Sequence, residues 1–486
     1  MRTLAVALLA GCAGVSLPPT ETPYFREQLA HALEAPAAAP MEEGKTLRES
    51  AARLEPRAAA EGERIREAGE VEGLLDLASE GARAFVAQVS DPADGADALT
   101  RTPLDRERVL LAAYARNPDA ASARASWRAA VRLYEQATYL EDVLLRYRAF
   151  TRFASPRPGE AMGESAFPYP GLVALKGEMI DREVAMAREQ ARMRLRDALY
   201  RAALAYHGAT HQEEELKIRE EQLQLAERLV TVVRARVAAG TSPQAELLEM
   251  EAERATAAND RAHALAALAR ARGELKTLLD LDPSREITLV QHEEPPAATP
   301  PVQPLLALAR SFAPEIREAR AEQEKTAVAI RMAEAMLFRP PAPAKASPGE
   351  QMGGVSPAAP TGFGPDAAWV RELRERNEAL ALAAAETFRA AERKVIVAHY
   401  ELDAARRMFA LAAGSTAPLA RQAVEERLRL YESGRVGFAE LLQAYRRLLE
   451  ALRDVAAARH DYGEAEAMVF TAAGARPSTV PDGRGQ

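Results

Sequence analysis

The chain has 486 residues and a formal net charge of −8, and aromatic residues make up 5% of a composition rich in Ala, Leu, Glu and Arg. This composition is typical of long packed helices rather than of a β-sandwich or an enzyme with a bulky core. Arginine and glutamate are interspersed along the same segments, so there is no basic stripe to neutralise a phosphate backbone, and we expect no nucleic-acid partner.

Residues 1–12 resemble the signal peptide of a bacterial lipoprotein. An apolar run from Leu4 to Ala10 precedes Gly11 and Cys12, and this ending is similar to a lipobox. Cleavage before Cys12 would leave that cysteine as the site of lipidation. The apolar run has only about seven residues, the lower limit for a signal peptide, so an ordinary cleaved signal or no signal remains open.

The next segment, residues 13–103, is predicted to be an N-terminal tether followed by helix. Residues 13–40 contain five prolines and read as the tether. Residues 41–90 look helical with a break at Pro56, and residues 91–103 look like a loop.

Proline placement predicts very long helices in the rest of the chain, because an interior proline removes a helical hydrogen bond. The chain has no proline between Pro170 and Pro243, or between Pro365 and Pro418. The window from Leu172 to Val237 would form a rod of about 100 Å at 1.5 Å per residue. Gly414 and Pro418 should bend or break the second long helix.

Apolar residues recur in these windows with the period of packed helices. Leu223, Val230 and Val237 are seven residues apart, which predicts left-handed coiled-coil packing. The last helix has two adjoining apolar rows: Leu441, Leu448 and Val455, and Leu442, Leu449 and Ala456. Two rows can pack against neighbours on both sides, as in a closed ring of helices, but an ordinary antiparallel bundle has the same pattern.

Two motifs recur and divide the chain into repeats over residues 104–290 and 300–474. A helix start at Pro118-Asp119 is matched 196 residues later by Pro314-Glu315. Gly240 is matched 194 residues later by Gly434, and Glu-Leu-Leu follows each glycine after six residues. Each repeat therefore reads as helix, proline-rich interruption, long helix, tight turn and returning helix, and residues 475–486 read as a disordered tail.

These motifs, in this order and twice over, resemble the TolC-type outer-membrane efflux family across about residues 104–474. The resemblance implies a mainly α fold of two tandem repeats, whose long coiled-coil helices form a bundle or tunnel in a homotrimer. It also implies docking to a periplasmic adaptor protein and an inner-membrane pump. The chain would be a passive conduit at the periplasmic face of the outer membrane, without a cofactor or enzymatic activity.

The chain departs from this family where each repeat should contribute strands to a membrane β-barrel. Residues 151–171 contain four prolines and residues 339–367 contain seven. Interior strands exclude proline, and a spanning strand needs about 9–11 residues of alternating apolar character. We therefore expect the barrel to be reduced or absent, with attachment to the membrane through a lipid on Cys12.

By this resemblance, the two turns are the tips that contact the adaptor. The tip residues are Gly240, Thr241, Ser242, Gly434, Arg435, Val436, Gly437 and Phe438. A turn that exposes Val436 and Phe438 to water is costly unless a partner covers it, which favours an interface. The alternative is a turn packed against its own neighbours.

Glu246 and Glu440 follow the turns at positions where the family often has acidic residues at the constricted end of the tunnel. In a trimer they would form a ring of six carboxylates that attracts cations. The alternative is a solvated glutamate in the first turn of a helix, where the helix dipole favours it.

No pattern in the sequence predicts catalysis or a metal site. His207 and His211 are four residues apart and share a helix face, but no third ligand is evident nearby. The leading hypothesis is a duct in a tripartite export system. The main alternative is a helical envelope lipoprotein without a barrel, which acts as a scaffold or adaptor-binding module and does not conduct.

Overall fold

The computed structural model describes residue 75 and residues 79–92, 94–133, 170–290, 294–337 and 368–475. These residues form helices α1 (Glu80–Val89), α2 (Gly95–Arg101), α3 (Arg106–Arg116), α4 (Pro118–Val131), α5 (Pro170–Ala238), α6 (Gln244–Leu278), α7 (Val302–Phe312), α8 (Pro314–Leu337), α9 (Ala368–Leu411), α10 (Ala417–Glu432) and α11 (Phe438–Ala473). The mainly α fold with very long helices is confirmed. Among the helices described, none is long and apolar enough to cross a bilayer.

The order of helices is the same in the two halves of the chain. A short helix, α3 or α7, is followed directly by a helix that begins at a proline, Pro118 or Pro314. Proline suits this first position because the first backbone N–H groups of a helix have no intrahelical partner. The Asn117 side chain caps α4 by accepting hydrogen bonds from the backbone N–H groups of Asp119 at 2.9 Å and Ala120 at 3.3 Å.

The second long helix contains an interruption that the first lacks. Residues Ala412–Thr416 form one π-helical turn between α9 and α10, and Pro418 lies in the first turn of α10. The predicted bend or break near Gly414 therefore takes the form of a widened turn. Pro418 has no backbone N–H group to donate to the preceding turn, and the shifted hydrogen-bond register of the π-helical turn tolerates this missing bond.

The predicted loop at residues 91–103 is wrong, because Gly95–Arg101 forms helix α2. Leu99 is fully buried, and Gly95 lies so close to the backbone of Val89 that a Cβ atom would be 2.3 Å from its carbonyl oxygen. Tertiary burial thus stabilises a short helix whose local sequence is weakly helical.

The chain forms two compact units. One contains Val131–Met186 and Ile316–Arg389, and the other contains Glu61–Ala130, Ala187–Glu315 and Ala390–Gln486. In the first unit, Ile180 and Val184 of α5 are buried against Val131 and Leu133. Three ion pairs join α5 to α8 there: Arg182 with Glu324, Glu183 with Lys325, and Glu178 with Arg331.

The second unit contains the larger core and the turns at Gly240 and Gly434. Val230 and Val233 of α5 are buried, and Leu223 and Val237 pack at the edge of the same cluster, which confirms the predicted seam. On α11, members of both predicted apolar rows are covered within this one chain: Leu441, Leu442, Leu448 and Ala456 are buried, and Leu449 packs on the core. The two rows therefore do not require a neighbouring subunit.

Several predictions concern residues outside the described part of the chain. They are the lipid attachment at Cys12, the tether at residues 13–40, the two proline-rich segments at residues 151–169 and 339–367, and nearly all of the tail at residues 475–486.

Candidate functional site at the two helical turns

The predicted turns at Gly240 and Gly434 have the same backbone geometry. Both glycines are in the left-handed region, with φ of 71° and 72°. The N–H group of Gly240 donates to the carbonyl of Val237, and that of Thr241 to Arg236; Gly434 and Arg435 make the equivalent bonds to Tyr431 and Leu430. This pair of bonds is the Schellman motif, which ends a helix sharply and lets the chain return beside it.

The first turn presents mostly backbone and small polar groups. Gly240 and Thr241 are exposed, and Ser242 is half-buried. The Thr241 hydroxyl donates to the backbone carbonyl of Arg236 at 3.0 Å, while the Ser242 hydroxyl accepts from Nε of Arg236 at 3.1 Å. Arg236 is thus hydrogen-bonded to both polar residues of this turn.

The second turn is more apolar, but it is not exposed in the way the sequence suggested. Gly434, Arg435 and Gly437 are exposed, while Val436 is half-buried. Phe438 is only 7% exposed, so the expectation of an exposed phenylalanine is wrong. Its ring lies 6.3 Å from the ring of Tyr431, centroid to centroid.

A contact between the two turns was not predicted from the sequence. The guanidinium group of Arg236 lies 4.5 Å from the ring centroid of Tyr431 and donates a hydrogen bond to the Tyr431 carbonyl. The Tyr431 hydroxyl donates to Oε2 of Glu246 at 3.0 Å. Burial raises the pKa of Tyr431, so the hydroxyl keeps its proton and remains a donor. We call these three residues, Arg236, Tyr431 and Glu246, the turn link.

Each predicted tunnel-end carboxylate has a partner within its own chain. Glu246 is half-buried and accepts from Tyr431, as part of the turn link. Glu440 is exposed and forms an ion pair with Arg427 of α10. Both lie in the first turn of their helices, α6 and α11.

Helix α9 carries an apolar stripe that the described residues leave uncovered. The stripe comprises Val397, Tyr400, Ala404, Met408 and Leu411, all exposed. Tyr400, Met408 and Leu411 are each more than 60% exposed. Their spacing of three or four residues places them on one helix face, and a contiguous exposed apolar face marks a protein interface.

The pair His207 and His211 lies on the inner side of α5, and His460 of α11 lies beside it. The three histidines line one small cavity. Within the described part of the chain, no group of three or more His, Cys, Asp or Glu residues has the arrangement of a metal site.

Comparison with protein-family models and with curated protein sequences yields no match. Comparison with solved structures yields matches over most of the chain. The outer-membrane channel OprN has a TM-score of 0.57 and 16% sequence identity, covering 84% of this chain and 94% of that one.

Two other solved structures are similar to about the same degree. The MtrE outer membrane channel of Neisseria gonorrhoeae, in its open state, has a TM-score of 0.56 and 16% identity, covering 76% of this chain and 89% of that one. The outer membrane protein VceC of Vibrio cholerae has a TM-score of 0.55 and 14% identity, covering 76% and 96%.

Proposed function

Because the chain has the fold of outer-membrane channels, we propose that it is the passive duct of a tripartite efflux system. In this proposal it forms a homotrimer, contacts a periplasmic adaptor and an inner-membrane pump, and is attached by a lipid on Cys12 to the periplasmic face of the outer membrane. The observation that supports it most directly is the fold itself, which matches the solved channels along nearly their whole length.

The apolar stripe on α9 supports the homotrimer. Its side chains are exposed within the described part of the chain, whereas members of both apolar rows of α11 are buried. A second copy of the chain would bury Tyr400, Met408 and Leu411, and each large apolar side chain that is fully buried contributes about 1.5–3 kcal/mol. In the trimer, this face contacts the next subunit.

The two turns support docking to an adaptor at one end of the helices. Gly240, Thr241, Gly434 and Arg435 are exposed, and the turn link restrains both turns, so little flexibility is lost on binding. Glu246 and Glu440 follow the turns, and six such carboxylates in a trimer would attract cations to the end of the duct.

Conductance of the purified full-length protein in planar lipid bilayers tests the duct. We expect discrete current steps, with a preference for cations that falls in the variant Glu246→Gln/Glu440→Gln, because that variant removes the negative charge without removing side-chain volume. A trimer that is folded by circular dichroism and native mass spectrometry but carries no current would contradict the duct and favour the non-conducting scaffold.

A further inference from the structure

A histidine pair joins the long helix of the first half of the chain to the last helix of the second half. The rings of His211 on α5 and His460 on α11 have their centroids 4.9 Å apart and their planes at 46°. Both rings, with His207, line the small cavity between α5 and α11. Neither the family resemblance nor the proposed duct uses these residues.

One ring nitrogen of His211 has no hydrogen-bond partner. Nδ1 is buried and has no partner among the described residues. A protonated imidazole carries an N–H group on both ring nitrogens. Protonation of His211 therefore leaves a buried N–H group at Nδ1 without an acceptor.

The carboxylates nearest to His211 on α5 are already engaged by arginines. Glu214 forms an ion pair with Arg459 of α11, which also lines the cavity. Glu215 pairs with Arg219 at 2.8 Å and with Arg453 of α11 at 3.4 Å. Glu215 and Glu214 still raise the pKa of His211, but burial of the ring and the charge of His460 lower it by more.

The carboxylates of α11 at this contact, Asp461 and Glu464, lie next to His460. His460 Nδ1 lies 3.5 Å from Asp461 Oδ1, and its Nε2 lies 3.4 Å from Glu464 Oε1. A charged His460 can therefore form ion pairs on its own helix. Its charge would then face the ring of His211 and oppose a second charge there.

We propose that the contact between His211 and His460 is a proton-sensitive latch between α5 and α11. Neutral His211 lets the two helices pack closely around the cavity. Protonated His211 places a buried charge, with an unpaired N–H group at Nδ1, between them, which loosens the helices at this level of the chain.

The direction of the pH effect follows from the environment of His211. Burial, and then the charge of His460, lower the pKa of His211 below its ordinary value of 6.5. The unfolded chain therefore takes up this proton at a higher pH than the folded chain does. The stability of the contact is complete above about pH 6.5, and it is lost as the pH falls from there to the pKa of the folded state.

Hydrogen exchange at the imidazole C2 position, measured by mass spectrometry on the unmodified full-length protein, gives the titration midpoint of each histidine. We expect His211 to titrate below the ordinary value of 6.5. A midpoint for His211 at or above that value would overturn the latch. This measurement requires no substitution, so it does not depend on how well a variant folds.

A second experiment tests the loosening itself. Between pH 7.5 and pH 5.5, backbone amide exchange corrected for its intrinsic pH dependence should increase around His211 and around residues 456–463 of α11. In His211→Gln this increase should disappear, since glutamine is polar but takes up no proton. The control His263→Gln changes an exposed histidine of α6 and should retain the increase. An increase of equal size in His211→Gln and in the unmodified protein would refute the latch.

Both outcomes are independent of the proposed duct. A protein that conducts no current can still have the latch, and a conducting protein without the pH effect lacks it.

Discussion

The ring of His207 packs against α11 at Gly463, which has no side chain. A Cβ atom built on Gly463 would lie 2.4 Å from Nδ1 and 2.6 Å from Cε1 of the His207 ring. His207 is only 2% exposed, so its ring has no free space into which it could move. A glycine in the middle of a helix normally costs stability, and here the close approach of α5 offsets that cost.

We predict that Gly463→Ala destabilises the protein by about 1–3 kcal/mol, because the added methyl group overpacks the contact with His207. Urea unfolding followed by circular dichroism measures this change. The matched control is Gly273→Ala on α6, where no atom beyond the local helix backbone lies within 4 Å of the added Cβ.

The control should gain about 0.5–1 kcal/mol, because alanine is the better helix former and nothing opposes it. If both substitutions stabilise the protein, the close contact at Gly463 does not exist in solution.

At the scale of elements, the turn link connects the end of α5 with the end of α10. Arg236 contacts Tyr431 through the face of its ring and through its carbonyl, and reaches Ser242 in its own turn. Tyr431 then contacts Glu246 at the start of α6. The three residues come from three helices, so the link holds the two turns in one arrangement.

Substituting Arg236→Met should cost about 1.5–3 kcal/mol, since the variant loses hydrogen bonds from a charged group as well as the contact with the aromatic face. Amide hydrogen exchange should rise at Gly434 and Arg435, whose N–H groups lie next to the lost contact.

The control for this substitution is Arg234→Gln, which removes an exposed arginine of α5 that pairs with Glu251. An exposed ion pair contributes about 0–1 kcal/mol, so exchange at the second turn should not change. Equal effects of the two substitutions would show that the turn link does not hold the turns together.

At the scale of the whole molecule, the apolar stripe on α9 distinguishes an isolated chain from an assembly. We predict that Met408→Glu weakens self-association more than about tenfold, because an unpaired carboxylate buried in the contact costs well over 1.4 kcal/mol. Native mass spectrometry across a dilution series measures the subunit number.

Ala410→Glu is the control, because it adds the same charge at an exposed position on another face of α9. It should leave association unchanged, and circular dichroism should show both variants as helical as the unmodified chain. A Met408→Glu variant that associates as tightly as this control would place the subunit contact elsewhere.

Local chemistry was enough to predict the long helices of this protein and the turns that follow them. The helix starts at Pro118 and Pro314 and the turns at Gly240 and Gly434 depend on backbone preferences of single residues, which neighbouring sequence expresses directly. The seam through Val230 is likewise a pattern of spacing along one helix. These features made the mainly α fold predictable, whereas helix α2 was missed because burial of Leu99, rather than local preference, stabilises it.

The tertiary structure alone decided which side chains meet and which faces stay open. Phe438 is buried in one cluster with Val233 and Met250, and Arg236 reaches the carbonyl of Tyr431, because two turns 194 residues apart are packed side by side. Likewise, the ring of His460 contacts the ring of His211 because α11 packs beside α5. Such contacts depend on the relative positions of whole helices, and no period or propensity within one segment encodes them.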